Sequence, residues 1–502
     1  MLKERKLLEK EVVFVNEKKE VVYEGGRDIV GRYVYPGYID DLYFPIADDE
    51  SKENINEEDF YVTEFSSTAS ESDYHTFSNE LTFNGVYMAF NLNIPNTKKY
   101  FGVDLNEVLI NNDELINGVN NILNSYCLRD NDDEHQVEIS YKGYLKVVLL
   151  NEHIDEKVTF CSKDILEYIR DYYDKNAIHI TRMFGSYILL KKFNDKLVAI
   201  KATPIPINYC PLMIKLLEEV GDDVALKIIE SLKVDDIEKQ EEAMCRLINE
   251  VVIKGGYFDT DRPLNSCEAN VLFGASETIS SAFKSGLIDA AVIVSNNLGT
   301  IITTNDCSTQ GAVKRMTGLF HTSPSHEIMN TAYREGIIPV FPYTAEIDQL
   351  EGVKKAISLG YKNIAVSVAA SDNYLHEELK KIENENDVVI YKFGLCSTGI
   401  SYDVAEKMRD NSDVVWSCAS KYVKEEIEPN AIAQVGVKIP VHIMTEQGWN
   451  IISNHLKYMG LEEDVSLECG ENKPVLLNDK GKVKVLKKKN LRKCSDCPNP
   501  CI

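Results

Sequence analysis

From about residue 268 onward, short apolar runs alternate with stretches in which apolar residues recur every three or four positions. Val271-Leu272-Phe273 precedes a helical pattern over Ala275 to Ser285. Ile288 to Val294 reads as a strand and is followed by Ile301-Ile302. Ile337 to Phe341 is another strand, ahead of a helix from Glu346 to Leu359. The alternation continues with strands at Ile364 to Val368, Val388 to Ile390, Val414-Val415 and Val441 to Met444. Helices follow them at Tyr374 to Ile382, Ser401 to Arg409, from Lys421, and at Glu446 to Tyr458. Strands apolar on both faces, separated by amphipathic helices, mark a sheet buried between helical layers. The expected fold class is α/β: a mostly parallel sheet with flanking helices in the C-terminal half, preceded by an α+β N-terminal region. Such sheets bind ligands at the carboxyl ends of their strands.

The first half is less regular. Val12 to Val15 and Glu20 to Tyr23 flank Asn16-Glu17-Lys18-Lys19 and predict a hairpin. The acidic stretches Asp48 to Asp59 and Arg129 to Glu134 read as exposed loops, because like charges pack poorly. Tyr100 to Cys127 carries a helical pattern. A second hairpin joins Ser186 to Lys191 with Lys196 to Ile200, and Thr203-Pro204-Ile205-Pro206 forms a stiff connector to helical periodicity over Pro211 to Ile253. The predicted division is an α+β region over 1–175, a hairpin and helical connector over 176–265, a Rossmann-like α/β domain over 266–470, and a basic, cysteine-containing tail over 471–502.

Charge narrows the partners. The 502 residues carry a net charge of −25, yet Lys480 to Lys493 holds eight Lys or Arg and no acid. Subtracting those eight positive charges leaves −33 on the rest, which argues against nucleic-acid binding and for a solubilising surface. No apolar run approaches the roughly 18 residues that span a bilayer. The first ten residues alternate charges and contain no apolar signal core. These features predict a soluble, cytoplasmic protein. The twelve cysteines are mostly scattered singly, unlike the framework of a small secreted domain.

The predicted strand ends are small and polar: Gly274-Ala275-Ser276-Glu277-Thr278, Ser295-Asn296-Asn297-Leu298-Gly299-Thr300, Thr303-Thr304-Asn305-Asp306-Cys307 and Gly394-Leu395-Cys396-Ser397-Thr398-Gly399. Any one of these turns is accounted for by ordinary helix capping. Together they outline a polar crevice for a small anionic ligand, with Ser276, Asn296, Gly299, Thr303 and Thr304 as candidate contacts. The chain has no Walker A motif and no Gly-x-Gly-x-x-Gly loop, so no nucleotide is indicated. Cys418 stands at a predicted strand end with Lys421 three residues on. A helix start and a nearby cation both favour the thiolate, which makes Cys418 a candidate nucleophile or metal ligand. Glu277 is the candidate acid–base group, with Lys421 assisting. Cys267 and Cys210 are similarly placed, and a buried structural cysteine is the commoner role for all three. His321, His326 and His442 show no metal-binding spacing.

The tail carries the densest chemistry. Cys494, Cys497 and Cys501 lie within eight positions, interrupted by Pro498 and Pro500 and preceded by the basic run. Neighbouring cations favour thiolates, the metal-binding form. Three sulfurs are an incomplete ligand set, and Cys469 is a candidate for the fourth. An iron–sulfur cluster fits this clustering better than zinc, which takes four ligands, often as two separated pairs.

The order of several segments is shared with a known family. They are Asn208-Tyr209-Cys210-Pro211-Leu212, Phe273-Gly274-Ala275-Ser276-Glu277, Ile288 to Val294, Gly299 to Asn305 and Thr322-Ser323-Pro324. Thr398-Gly399-Ile400-Ser401, Cys418-Ala419-Ser420-Lys421, Pro440-Val441 and Thr445-Glu446-Gln447-Gly448 continue it. Over about Ser186 to Leu456 the chain resembles the methanogenesis marker protein 8 family; about 185 residues precede the matching part. The resemblance implies an archaeal methane producer and a role tied to methanogenesis. It carries over no catalytic residue.

The expected function is that of a cytoplasmic accessory protein linked to methanogenesis. It would bind a metal or iron–sulfur centre and assist maturation or reductive activation of methyl-coenzyme M reductase, with protein partners in that pathway. One alternative is an α/β enzyme that binds a small anion in the strand-end crevice beside a reactive cysteine. The other is a protein-docking scaffold.

Overall fold

The computed structural model describes residues 85–126, 135–139, 143–150, 156–206, 236–267, 273–313, 318–370, 374–435 and 440–460, together with short pieces within 14–47 and 223–231 and the strands 474–479 and 482–487. The described residues fall into two compact units. The first comprises residues 1–177 with 323–326 and 341–345; the second holds the remainder.

In the first unit, the strands β1 (Gly85–Asn91), β2 (His135–Ile139) and β3 (Tyr144–Leu150) pair antiparallel, with β3 in the middle. Helix α1 (Asn112–Ser125) starts at Asn111, whose side chain accepts the Glu114 N–H. It buries Leu115, Val119 and Leu123, spaced one helical turn apart, as an amphipathic helix must. Helix α2 (Glu156–Lys175) buries Ile165, Leu166 and Ile169. The N-terminal hairpin pairs Phe14 with Tyr23.

The second unit opens with β4 (Ile178–Met183), β5 (Ser186–Phe193) and β6 (Lys196–Ala202). Asn194 and Asp195, at φ 46° and 63°, make the β5–β6 turn. Helix α3 (Ile237–Leu247) packs on this small sheet and runs into a π-helical turn, Ile248–Ile253.

The larger sheet follows. Its elements in chain order are α4 (Ala275–Lys284), β7 (Ala290–Ser295), β8 (Gly299–Thr303), α5 (Asp306–Val313), β9 (Gly318–Thr322), β10 (Ile338–Pro339) and α6 (Gln349–Ser358). They continue as β11 (Asn363–Ala369), α7 (Tyr374–Asn386), β12 (Val389–Leu395), α8 (Tyr402–Asn411), β13 (Val414–Trp416) and β14 (Ala433–Val435). The last are β15 (Val441–Ile443), α9 (Glu446–Tyr458), β16 (Pro474–Asp479) and β17 (Lys482–Lys487). The order across the sheet is β10-β8-β7-β11-β12-β13-β15-β14-β16-β17, while β9 joins the small sheet beside β4.

This architecture is α/β with flanking helices, but the sheet is mixed where a mostly parallel one was expected. Pairing is parallel across the middle, from β7 through β11 and β12 to β13. It is antiparallel at β7–β8, β8–β10, β13–β15 and β14–β15. The cause at β7–β8 is the Asn296-Asn297-Leu298 link, with Asn297 at φ 63°. A link that short closes a hairpin and cannot make the crossover a parallel pair needs. Every residue of β7 is buried, as expected of a strand covered on both faces. No helix among the described residues is long and apolar enough to cross a membrane.

Candidate functional site

Helices α4, α5 and α9 frame a pocket of about 190 Å³. Each is set by local chemistry. At α4 the Thr278 hydroxyl donates back to the Gly274 carbonyl over 2.8 Å, steadying the first turn. At α5 the Asn305 side chain accepts the Ser308 N–H over 2.8 Å, as a helix cap does. At α9 the Thr445 hydroxyl accepts the Gly448 N–H over 3.0 Å.

The first turn of α4 turns Glu277 inward, where it is 7% exposed. Its carboxylate accepts from the Ser276 hydroxyl at 2.9 Å and the Gln310 amide at 3.3 Å, which ties α4 to α5. One turn further along α4, Ser281 Oγ lies 2.8 Å from His455 Nδ1 on α9. The buried His455 ring stands edge-on to Phe273.

Lys284 closes the C-terminal end of α4. Its Nζ lies 3.1 Å from Asp306 Oδ2 and 5.1 Å from the centre of the Tyr458 ring. A hydrogen bond with Tyr458, reinforced by Asp306, holds the ammonium above the ordinary lysine range.

Cys307 follows Asp306 in the first turn of α5 and is disulfide-bonded to Cys267, with Cα atoms 4.6 Å apart. Two contacts besides the S–S bond bring these segments together. The Ser266 N–H donates to the Cys307 carbonyl over 2.9 Å. Gly311 sits so close to the backbone of Leu264 that a Cβ there would overlap it. The ligand atoms of Cys267, Asp306 and Cys307 all lie within 4.8 Å of one another. Cys267 is exposed and Cys307 half-buried.

Of the residues expected from the sequence to act, Glu277 lines this pocket, as does Cys267. Ser276 bonds the Glu277 carboxylate from the helix start. Cys418 and Lys421 lie elsewhere, on the segment after β13, and do not line the pocket. Cys418 is exposed, and its backbone N–H donates to Ser397 Oγ over 2.8 Å. Lys421 Nζ lies 5.3 Å from the Tyr422 ring centre.

The other candidate contacts do not line this pocket. Asn296 is buried in the β7–β8 turn, where its side-chain amide donates to the Tyr257 carbonyl at 2.6 Å and its backbone carbonyl accepts from Arg262 at 2.5 Å. Gly299 pairs with Ser295 at φ 63°. Thr303 Oγ1 meets Thr309 Oγ1 at 2.6 Å, joining β8 to α5, and Thr304 is the half-buried next residue. Cys469, Cys494, Cys497 and Cys501 lie outside the described residues. His321 is buried and its pKa is pushed down to about 3 by burial.

Asp306, Cys307, Lys284, Gln310 and His455 carry no sequence motif that marks them as acting residues. Asn305-Asp306-Cys307 did carry a local signal, a capping residue just ahead of a cysteine. Nothing in the sequence marks Cys267 as its partner, 40 residues earlier.

Comparison with known proteins places most of the second unit in a described group. Residues 179–457 match a family described as an uncharacterized protein conserved in archaea, DUF2099. The uncharacterized protein MJ0054 of Methanocaldococcus jannaschii is 37% identical over 227 residues, covering 45% of this chain and 78% of that protein. No solved structure matches the chain. With more than half its length matched, the chain belongs to this family of uncharacterized archaeal proteins.

Proposed function

We propose that the chain is an accessory protein of methanogenesis that delivers electron pairs through the Cys267–Cys307 dithiol. The observation that carries this is the meeting of two cysteines from separate segments beside a pocket, with Cys267 lining it together with Lys284, Glu277 and His455. The start of helix α5 and the Lys284 ammonium both favour a thiolate there, offsetting Asp306.

In the proposed step, exposed Cys267 attacks one sulfur of a disulfide on the partner. That S–S bond breaks and one partner sulfur leaves as a thiolate. Cys307 then attacks the Cys267 sulfur, forming the intramolecular disulfide and freeing the second partner sulfur. Two electrons pass to the partner, and its two thiolates take up the two protons lost by the cysteines. The link to methanogenesis rests on the resemblance to the marker family. The partner it suggests is methyl-coenzyme M reductase during maturation or reductive activation.

The test is thiol titration of the full chain before and after dithiothreitol, then mixing with a soluble aromatic disulfide. Two reactive thiols should appear on reduction, and Cys267→Ser should abolish rapid exchange. A pair that stays resistant to reduction in the folded protein would sink the reading.

Two further proposals rest on the sequence. Cys494, Cys497 and Cys501, completed by Cys469, are proposed to hold an iron–sulfur cluster, or zinc as the alternative. Iron and sulfide analysis of anaerobically purified protein tests this, with no iron as the adverse result. Cys418 remains the proposed reactive group if the strand-end crevice takes a small anion. Alkylation of Cys418 that leaves ligand binding unchanged would count against it.

A further inference from the structure

We infer that the reduced pair, Cys267 and Cys307, together with Asp306, forms a site for a divalent metal ion of zinc or ferrous type, with one coordination position open to the pocket. The inference deepens the dithiol reading, because it needs the same two cysteines in their reduced state.

Geometry is the first support. The three ligand atoms lie within 4.8 Å of one another. Thiolates bound to one tetrahedral ion at about 2.3 Å stand roughly 3.8 Å apart, so the cluster closes on an ion through side-chain rotation. The backbone is already set for this. The Ser266–Cys307 hydrogen bond and the close approach of Gly311 to Leu264 hold the two segments together independently of the S–S bond.

Ligand type is the second. Two thiolates and one carboxylate suit a soft or borderline ion, and magnesium or calcium would call for oxygen ligands throughout. Charge is the third. Two thiolates, one carboxylate and a divalent ion sum to one negative charge. Lys284, 3.1 Å from Asp306 Oδ2, supplies the neutralising cation and orients the carboxylate. Three protein ligands beside a pocket match a working metal centre, in which a water or substrate atom completes the tetrahedron. On binding, the ion displaces the two thiol protons; on oxidation to the disulfide both sulfur ligands are lost, so the metal and the S–S bond exclude each other.

The experiment uses the full chain, reduced with a phosphine and held anaerobic, titrated with cobalt(II) as the probe. A sulfur-to-cobalt charge-transfer band with intense visible bands should appear at one equivalent. In a chain whose tail cysteines Cys494, Cys497 and Cys501 are changed to Ser, Cys267→Ser and Cys307→Ser should each remove most of the charge-transfer band, and Asp306→Asn should weaken binding at least tenfold. The triple variant Cys494→Ser, Cys497→Ser, Cys501→Ser should retain the band. Circular dichroism checks that each variant is folded. Absence of the band in the reduced wild type, or its loss only in the tail variant, overturns the inference. A dithiol that exchanges with disulfides yet binds no cobalt ends the metal site alone. A protein that binds cobalt yet does not exchange ends the electron-delivery reading alone.

Discussion

Lys284 Nζ and Asp306 Oδ2 lie 3.1 Å apart, joining the last turn of α4 to the first turn of α5. The lysine side chain is about one-third exposed, so the pair contributes only about 0–1 kcal/mol to stability. Its larger effect falls on the neighbouring sulfur, since Cys307 Sγ is 3.5 Å from the same carboxylate oxygen. Lys284→Gln leaves that carboxylate's charge unopposed beside the thiol. The reduced pair should then need a pH higher by about 0.5–1 unit to ionise, slowing alkylation near neutrality by roughly 3–10-fold. Iodoacetamide rates against pH, with thermal unfolding alongside, measure this. An unchanged pH profile would show that Lys284 does not govern the thiols.

The disulfide links residues 40 apart, so it restricts a substantial loop of the unfolded chain. A chain-entropy estimate for such a loop is about 4 kcal/mol, and native disulfides commonly deliver about 2–4. The double variant Cys267→Ser, Cys307→Ser should therefore lose about 2–4 kcal/mol relative to oxidised wild type. Its stability should lie close to that of the reduced wild type. Urea unfolding in oxidising and reducing buffer makes the comparison. A variant equally far below both forms would point to packing of the sulfurs as the dominant effect.

The helices and central strands were legible because their periods are local. The helix predicted from Glu446 to Tyr458 has those bounds, and α4, predicted over Ala275 to Ser285, ends one residue sooner. Strand direction was less legible. The polar link Ser295-Asn296-Asn297-Leu298 fits both a ligand-binding strand end and a hairpin turn, and the left-handed backbone at Asn297 makes it a turn. The pocket was legible only in part. Glu277 announces itself at a helix start, whereas Lys284 and His455 fit equally well as ordinary helix residues. The Cys267–Cys307 pairing depends on the approach of Gly311 to Leu264, a tertiary contact without a local pattern.

The carbonyl just ahead of α4 has an unusual partner. Trp416 Nε1–H donates to the Phe273 carbonyl over 2.7 Å, and the indole packs against Phe393 with ring centres 4.8 Å apart. Trp416→Phe keeps an aromatic ring but removes the donor, leaving that carbonyl without this bond at a cost of about 1–3 kcal/mol. The loosened start of α4 should also weaken whatever binds beside Glu277. Denaturant unfolding together with cobalt affinity of the reduced protein reads both effects. A loss confined to stability, with cobalt affinity unchanged, would separate the indole from the pocket.

Buried neutral histidines set the acid limit. Burial lowers the pKa of His179, His321 and His376 to about 3 each. An unfolded chain protonates these groups as the pH falls below about 6.5, while the native protein does not until about 3. Between those limits the unfolded state binds more protons, so stability is complete above about pH 6.5 and declines as the pH falls. The slope approaches about 1.4 kcal/mol per pH unit for each histidine. His376 is the cleanest to isolate, because its Nδ1 meets Ser412 Oγ at 2.7 Å inside the second unit. His376→Asn should be less stable than wild type at pH 7.5. That deficit should shrink by about 1 kcal/mol or more per unit below pH 6.5, because the variant has one fewer histidine to protonate on unfolding. Urea unfolding at pH 7.5, 6.5, 5.5 and 4.5 follows the difference. A deficit that stays constant across the series would mean His376 is already protonated in the native protein.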